Sequence, residues 1–379
     1  MAGDAEHERI VDLLRRAPLI DGHNDLVWAL REAREADPPR DLDPSGPCPT
    51  LHTDLPRLEA GGVGGQFWSV YVPSDLPEPE AATKTLEQID AVHDLVGRHP
   101  DRLELARTAA DVDRVAASGR IASMVGVEGG HCIAGSLAVL RMLARLGAGY
   151  MTLTHNDDTP WADSATGDRP HGGLTEFGEQ VVLEMNRLGM LVDLSHVSDD
   201  VMRQAIDLSE APVVFSHSSA RALADVTRNV PDDVLEAVGR TRGVVMVTFV
   251  PSFLTAEGAA MNRLGWEEAA RLREEHPDDP GAVTRALDDW FAEDEVTSTV
   301  ADVADHIDHV RAVAGVDAIG VGGDFDGTPT MPEGLADVAG YPALFTELVR
   351  RGYTDEELAK IAGRNVLRVM RSAEAVAES

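Results

Sequence analysis

The chain has 379 residues, of which 43% are hydrophobic, and its formal net charge at pH 7 is −33. This length suits one large α/β barrel, and the apolar content is sufficient for a large core. The strong negative charge excludes a surface built to bind nucleic-acid phosphates or anionic lipid headgroups, so we expect no partner of either class.

Segments typical of export, membrane insertion or disulfide stabilisation are not evident in the sequence. No apolar run approaches the roughly 20 residues that cross a bilayer, and residues 1–16 are too charged for a signal peptide. Cys48 and Cys132 are the only cysteines, and two isolated cysteines fit neither a disulfide scaffold nor a cysteine-based metal site. We therefore expect a cytoplasmic protein that does not associate with membranes.

Apolar runs of strand length alternate with segments of helical periodicity along the chain. This alternation is typical of a parallel sheet with crossover helices. The predicted strands cover residues 18–26, 64–72, 121–130, 149–155, 190–196, 212–217, 243–250 and 318–323. The predicted helices cover residues 79–99, 136–146, 174–188, 199–208, 231–240, 298–314, 341–351 and 354–372.

Two stretches interrupt this alternation. Residues 35–56 are polar and rich in proline, which favours a long connection over a simple helix. Residues 251–295 form a long acidic excursion, which predicts either a lid or a surface insertion. Since neither a repeat nor a linker is evident, we expect a single domain that spans residues 1–379.

Polar residues at the strand ends favour a (β/α)8 barrel over an open doubly wound sheet. In such barrels the active site is assembled from groups at the carboxyl ends of several strands. We therefore predict a (β/α)8 barrel whose site lies at this end. Five predicted strands end in such residues and a sixth leads into one, and the residues are His23 and Asp25, Glu128, His155, His196, His217 and Asp324.

This set includes nitrogen and oxygen ligands suited to zinc or a similar divalent ion. His23 and Asp25 are two residues apart on a strand, so their side chains face the same side. With Glu128, His196 and His217 they make five ligands, which is more than one catalytic ion needs if a position stays open for water. If Glu128 bridges two ions, each ion has three protein ligands, and a hydroxide between the ions is the nucleophile.

Each of these residues also has a simpler interpretation. A single strand-end histidine is more often a hydrogen-bonded structural residue, His155 fits a turn, and Glu128 fits an exposed loop. Asp324 would then be a capping acid with Asp326 as its rival for a catalytic role, and Arg228 would form a surface salt bridge. We assign the remaining histidines to structure or surface, among them His131, His171, His306 and His309.

Seven segments closely resemble the renal or membrane dipeptidase family, a zinc-dependent branch of the amidohydrolase superfamily. They occur in the family's order between about residue 18 and residue 327. The segments are DGHNDLVW (21–28), GVEGGH (126–131), TLTHNDDTPWAD (152–163), DLSHVS (193–198), FSHSSA (215–220), RNVPDD (228–233) and GGDFDG (322–327).

The resemblance implies a metallo-dipeptidase that hydrolyses the peptide bond of dipeptides, including those with a D-residue at the carboxyl end. It implies two Zn²⁺ ions, one on His23 and Asp25 and the other on His196 and His217, bridged by Glu128 and a hydroxide. By the same resemblance Asp324 is the proton shuttle, His155 stabilises the oxyanion, and Arg228 pairs with the carboxylate of the substrate. A homodimer is also expected from the family.

The sequence departs from animal relatives in three respects. Those relatives carry a secretion signal, a lipid-anchor tail and structural disulfides, so we expect a bacterial-type intracellular member here. The excursion at 251–295 is longer, and Val250 stands where animal relatives have an aromatic residue, so their side-chain preference does not carry over. Two alternatives stay open: a metal-dependent hydrolase of another amide, such as an N-acyl amino acid or a β-lactam, and a non-catalytic metal- or ligand-binding barrel.

Overall fold

The computed structural model describes residues 2–276, 283, 286–287 and 297–377. Nine strands lie in this part of the chain: β1 (Leu19–Asn24), β2 (Val63–Tyr71), β3 (Leu103–Leu105), β4 (Ile121–Glu128), β5 (Ala148–Thr152), β6 (Leu191–Asp193), β7 (Val214–Phe215), β8 (Val244–Val247) and β9 (Ile319–Val321). All except β3 form a closed parallel barrel, in which β2 pairs with β4 and β9 pairs with β1. The predicted (β/α)8 barrel is confirmed.

Helices connect the strands and cover the outside of the barrel. No helix in the described part of the chain combines the length and the apolar composition that crossing a bilayer requires. The helices are α1 (Ala2–Arg16), α2 (Leu26–Glu35), α3 (Leu55–Ala60), α4 (Glu78–Arg98), α5 (Ala109–Ala117), α6 (Leu137–Leu146), α7 (Glu176–Leu188), α8 (Asp199–Leu208), α9 (Asp232–Thr241), α10 (Ala256–Glu275), α11 (Val300–Ala314), α12 (Tyr341–Arg350), α13 (Asp355–Ala359) and α14 (Asn365–Ala377).

All eight predicted strands are present, but several end earlier than predicted. The strand predicted at 149–155 ends at Thr152, and the one predicted at 190–196 ends at Asp193. The reason why the strands end early is clearest at His196. Its φ of 72° is a left-handed backbone conformation, which does not occur within a β-strand. The predicted site histidines therefore lie on loops that follow the strands, apart from His23 within β1.

The sequence interpretation missed β3 and the helices α1, α2, α3 and α5. A three-residue strand such as β3 is too short to show a period of two. The helix α5 does carry a readable signal, because Thr108 and Asp111 form a capping box at its amino end. Residues 36–54 contain neither helix nor strand, as the proline-rich composition predicts.

The first part of the predicted excursion is helical. After β8 the chain makes a 3-10 turn at Pro251–Phe253 and continues into α10, whose first turn is capped by the Thr255 hydroxyl. The helix α10 packs against this turn, at the carboxyl end of the barrel. Residues 277–282, 284–285 and 288–296 of the predicted excursion lie outside the described residues.

The last helices close the amino-terminal end of the barrel. A π-helical turn at Lys360–Arg364 lies so close to the start of β1 that a Cβ on Gly363 would be 2.5 Å from the Pro18 carbonyl oxygen. Val366 and Met370 of α14 belong to one buried cluster with Ile20 and other strand residues. Apolar packing therefore fills this end, and the functional groups collect at the opposite one.

Candidate active site

A cavity of about 420 Å³ opens at the carboxyl ends of the strands. It contains seven of the eight residues predicted for the site, and the eighth, His23, is buried against two of them. The structure therefore brings all the predicted site residues together. The seven that line the cavity are Asp25, Glu128, His155, His196, His217, Arg228 and Asp324.

His23 contacts both carboxylates of the predicted metal site. Its Nε2 lies 3.3 Å from Asp25 Oδ2 and 3.4 Å from Glu128 Oε2, while Nδ1 lies 2.9 Å from the Tyr150 hydroxyl. Burial alone would lower the pKa of His23, but Tyr150 and the two carboxylates raise it well above its usual value. The surroundings thus favour a positive charge here, which a bound metal ion would also supply.

Glu128, at the end of β4, lies between two groups of imidazoles. Its Oε2 faces His23, whereas its Oε1 lies 3.0 Å from His196 Nε2 and 3.5 Å from His217 Nε2. The Ser69 hydroxyl on β2 donates a hydrogen bond of 3.2 Å to Oε2 and orients the carboxylate. Burial alone would raise the pKa of Glu128, but the histidines hold it well below its usual value, so the group is ionised.

His196 and His217 approach each other on the loops after β6 and β7. Their Nε2 atoms are 2.9 Å apart, and His217 Nδ1 contacts the Ser216 hydroxyl at 2.8 Å. Burial lowers the pKa of both rings well below the usual value, and nearby positive groups add to the effect. Both rings are therefore neutral, which is the form that binds a metal.

The arrangement fits a metal ion. Two neutral imidazole nitrogens that approach each other beside one carboxylate oxygen form a compact set of nitrogen and oxygen donors, of the kind that binds a divalent cation. The buried His23 Nε2 has no hydrogen-bond partner among the described residues, which is unusual unless the atom is a ligand. Three sets have ligand atoms within 4.8 Å of one another: His23, Glu128 and His217; Glu128, His155 and His196; and His23, Asp25 and Asp324.

Asp324 and Asp326 follow β9, and both have a positive φ, of 60° and 65°. The Asp326 carboxylate accepts a hydrogen bond of 2.6 Å from the His52 backbone N–H, which anchors it to another loop. The Asp324 carboxyl lies beside Asp25, and burial raises its pKa to about 7. A Cβ on Gly327 would lie 2.4 Å from oxygens of both Asp25 and Asp324, so only glycine leaves room for the pair.

His155 lies on the loop beyond β5, with its Nε2 4.0 Å from Glu128 Oε1. Its ring packs between Tyr71 and His196, at centroid distances of 4.9 and 4.5 Å. Burial lowers the pKa of His155 to about 4, so the ring is neutral at pH 7. A neutral imidazole carries one N–H, which His155 can donate to an oxygen in the cavity.

Arg228 is buried at the wall of the cavity, so its interpretation as a surface salt bridge is wrong. Its guanidinium lies 5.6 Å above the Phe253 ring and 3.4 Å from both the Ser218 hydroxyl and the His217 carbonyl oxygen. Within the described chain no carboxylate forms a salt bridge with it. Burial lowers the pKa of Arg228 to about 10, so it keeps its charge at pH 7 and is available for an anion.

Sequence reasoning missed several residues that border the cavity or support it. Tyr71 gave a signal, because it is a polar aromatic residue near the end of a predicted strand. The others lie on helices, turns or strand interiors, and their approach to the site depends on tertiary packing. The missed residues are Trp28, Ser69, Tyr71, Tyr150, Phe253, Asn262 and Trp266.

The four histidines named above as structural or surface residues do not line the cavity. The buried His306 links two loops, since its ring contacts the Ala220 N–H at 2.9 Å and the Leu254 carbonyl at 3.0 Å. His131 and His171 contact backbone carbonyl groups, and His309 contacts the Asp232 carboxylate. Each ring thus has a structural partner.

A parallel eight-stranded barrel that gathers imidazoles and carboxylates around a cavity at its carboxyl end has the architecture of a metal-dependent hydrolase. The chain belongs to the membrane dipeptidase family, peptidase family M19, whose family model matches residues 7–379. The predicted family and the predicted enzyme class, a metallo-dipeptidase, are confirmed.

Solved structures show the same fold. The probable dipeptidase PvdM from Pseudomonas aeruginosa has a TM-score of 0.84 at 23% identity, over 98% of this chain and 99% of that one. A metallopeptidase from Rhodobacter sphaeroides, liganded with a phosphinate mimic of the dipeptide L-Ala-D-Ala, has a TM-score of 0.78 at 26% identity, over 94% and 99%. A third, dipeptidase AC of family M19, has a TM-score of 0.77 at 28% identity, over 94% and 98%.

Proposed function

We propose that the chain is a zinc-dependent dipeptidase that uses two Zn²⁺ ions and accepts dipeptides with a C-terminal D-residue. The observation that carries the proposal is the position of Glu128. One of its oxygens lies beside His23, which itself contacts Asp25, and the other lies beside His196 and His217. A carboxylate placed in this way is suited to bridge two ions, each held by one of the two pairs.

The metal centre supplies one part of the chemistry. When bound, zinc ions lower the pKa of water to near neutrality and polarise the carbonyl of the substrate. The ligand residues we propose are those predicted from the sequence: His23 and Asp25 for one ion, His196 and His217 for the other, and Glu128 for both.

Asp324 supplies the proton transfer. It lies beside Asp25 at the cavity, and its pKa of about 7 allows it to take up and release a proton near neutral pH. We propose that its carboxylate accepts a proton from the attacking water and gives it to the leaving amine. General acid–base catalysis of this kind contributes typically about 10²–10⁴-fold to the rate.

His155 and Arg228 hold the two negatively charged parts of the reacting substrate. The neutral His155 ring can donate its N–H to the oxygen that becomes negative as the carbonyl is attacked. The buried, charged Arg228 can bind the terminal carboxylate of the substrate bidentately. Because Arg228 contacts the backbone of the ligand residue His217, a carboxylate bound there lies close to the metal site, which favours dipeptides over longer peptides.

The substrate class is supported by a relative. The Rhodobacter sphaeroides metallopeptidase was solved with a mimic of L-Ala-D-Ala, and it matches 94% of this chain at 26% identity. As part of the proposal, we infer that the present chain also accepts dipeptides with an L-residue followed by a D-residue.

A substrate panel tests the proposed function. Purified protein is stripped of metal, reconstituted with zinc and offered LL and LD dipeptides, tripeptides, N-acyl amino acids and a β-lactam. We expect two zinc ions per chain and hydrolysis of dipeptides in both series, with none in the metal-free sample. Equal turnover without metal would refute the proposal. Selective turnover of N-acyl amino acids or the β-lactam would favour another amide hydrolase, and two bound zinc ions without any turnover would favour a non-catalytic barrel.

A further inference from the structure

Tyr150 makes two hydrogen bonds inside the barrel. Its hydroxyl lies 3.0 Å from the Gly22 carbonyl oxygen and 2.9 Å from His23 Nδ1, and the residue is only 1% exposed. A carbonyl oxygen can only accept, so the single phenolic proton is donated to Gly22. The phenol oxygen must then accept from His23, which places a proton on Nδ1, so that the neutral form of the ring, the form that binds a metal, has its lone pair on Nε2.

A glycine on the neighbouring strand leaves space for the Tyr150 ring. A Cβ on Gly126 of β4 would lie 2.1 Å from Tyr150 Cζ, so no residue larger than glycine fits beside the ring. The Phe67 ring packs against Tyr150 with the centroids 5.0 Å apart.

We propose that Tyr150 is a positioning residue, which fixes the His23 tautomer that presents Nε2 to a metal ion. The inference rests on the proposed function, since it takes His23 as a metal ligand. Partners of this kind set both the tautomer and the ring orientation of metal-bound histidines, and their loss weakens metal binding by about 10–100-fold. Tyr150 would therefore act on the ion that His23 shares with Asp25.

The test compares Tyr150→Phe with Tyr353→Phe. The first variant keeps the buried ring and removes only the hydroxyl. The matched control also loses one hydroxyl, which donates to Asp308 at 2.7 Å outside the site. Zinc affinity is measured by competition with a chromophoric chelator, and the melting temperature is measured on metal-free protein.

In Tyr150→Phe we expect one of the two zinc ions to bind about 10–100-fold more weakly, while Tyr353→Phe binds both as wild type does. A purely structural role for the hydroxyl would lower the metal-free melting temperature without weakening zinc binding, and that result would overturn the proposal. If wild-type protein itself bound no zinc, the proposed function would fail rather than the role of Tyr150.

An independent feature concerns the cavity wall near Arg228. Val250 and Phe253 follow β8, and Trp266 lies on α10, which packs against the turn that contains Phe253. The Phe253 ring lies beneath the Arg228 guanidinium, at 5.6 Å. A carboxylate bound by Arg228 would bring the side chain of the same substrate residue towards Phe253, in the cavity that Val250 and Trp266 also line.

We infer that the enzyme prefers dipeptides whose C-terminal residue has a large apolar side chain. This inference also rests on the proposed function, because it takes Arg228 as the carboxylate site. Burying a leucine-sized side chain favours binding by about tenfold or more over glycine. Trp266 is 36% exposed, so it forms the outer edge of the wall and can be truncated without opening the core.

The test compares Trp266→Ala with Leu264→Ala. Leu264 lies on the same helix, is 50% exposed and does not line the cavity. The readout is kcat/KM for Ala-Leu divided by kcat/KM for Ala-Gly, with the D-leucine dipeptide as a parallel series. We expect Trp266→Ala to lower this ratio about tenfold through KM, and Leu264→Ala to leave it unchanged.

The results distinguish a failure of this inference from a failure of the proposed function. A wild-type ratio near one would overturn the preference, and an unchanged ratio in Trp266→Ala would overturn its assignment to this wall, even if both rates fell together. No hydrolysis of either dipeptide by wild-type protein would overturn the proposed function instead.

Discussion

Asp324 and Asp326 differ in what their carboxyl groups contact, although both follow β9 with a left-handed backbone. His52 and Asp326 exchange two hydrogen bonds, which ties the β9 loop to the proline-rich segment. Asp324 donates its backbone N–H to the His23 carbonyl oxygen at 3.2 Å and points its carboxyl group into the cavity. Asp326 also borders the cavity, but its carboxylate is held by the His52 N–H, so Asp324 stays the acid that we propose for proton transfer.

The variants Asp324→Asn and Asp326→Asn test this assignment. We expect Asp324→Asn to lose about 10²–10⁴-fold in kcat while both zinc ions remain bound, because an amide cannot accept the proton. Asp326→Asn keeps an oxygen that can accept the His52 N–H, so we expect less than a tenfold loss. Dipeptide kinetics and metal analysis provide the measurements, and the reverse order of the two losses would contradict the assignment.

The sequence identified the polar residues that end apolar runs, but it did not identify the residues that hold those side chains in position. His23, Glu128 and Asp324 were visible because a polar group interrupts a hydrophobic strand. Tyr150 was not, because an aromatic residue within a strand is ordinarily a core residue. Its partner Gly22 lies on another strand, and only the closure of the barrel brings the two together.

Elements of the fold are joined on the outside by ion pairs, and one of these pairs links α6 to α7. Glu184 on α7 lies 3.0 Å from Arg141 of α6 and 2.7 Å from Arg187 of its own helix. The two arginines lower the pKa of Glu184 to about 2. A carboxylate with a depressed pKa adds stability above its unfolded value of 4.5, and the contribution is lost as the pH falls towards about 2.

We therefore expect Glu184→Gln to lower the free energy of unfolding by about 1 kcal/mol at pH 6, a modest value because both arginines are largely exposed. The difference from wild type should shrink between pH 4.5 and pH 3. Urea unfolding at both ends of this range measures it, with Glu236→Gln on α9 as an exposed control. A difference that grew on acidification would contradict the sign of the pKa shift.

Element boundaries were predicted well where hydrophobic periodicity was strong and poorly where the chain turns into the site. The strand β4 is buried along its whole length and was recognised from residue 121 onward. The loops after β5, β6 and β7 were read as strand because only one or two residues, either apolar, β-branched or serine, separate the end of each apolar run from the histidine. The helix α10 was read as part of an excursion, since its apolar residues do not form a clear stripe.

The molecule as a whole carries twice as many acidic as basic residues, 66 against 33. Even if every lysine and arginine paired with one acid, half of the carboxylates would remain uncompensated. Repulsion among these carboxylates destabilises the compact state and should outweigh the attraction within surface ion pairs.

The single-domain organisation, the homodimer and the cytoplasmic location stay predictions at this scale.

Added salt should therefore stabilise the fold. The screening length falls from about 30 Å at 0.01 M to about 3 Å at 1 M ionic strength, which removes the repulsion between distant carboxylates first. We expect the melting temperature in NaCl to rise by several degrees across this range, measured with a chelator present so that metal binding does not contribute. A fall in melting temperature would mean that the ion pairs outweigh the repulsion.

The packed amino-terminal end of the barrel, sealed by the π-helical turn and α14, has a consequence for kinetics. In the described part of the molecule the reacting groups are reached from the carboxyl end, so substrate and products share one route past α10. If Arg228 holds the terminal carboxylate, as we propose, the released C-terminal amino acid binds at the same arginine as an incoming dipeptide. Accumulating product would then compete directly with substrate, and the enzyme would slow itself in proportion to the amino acid that it sets free.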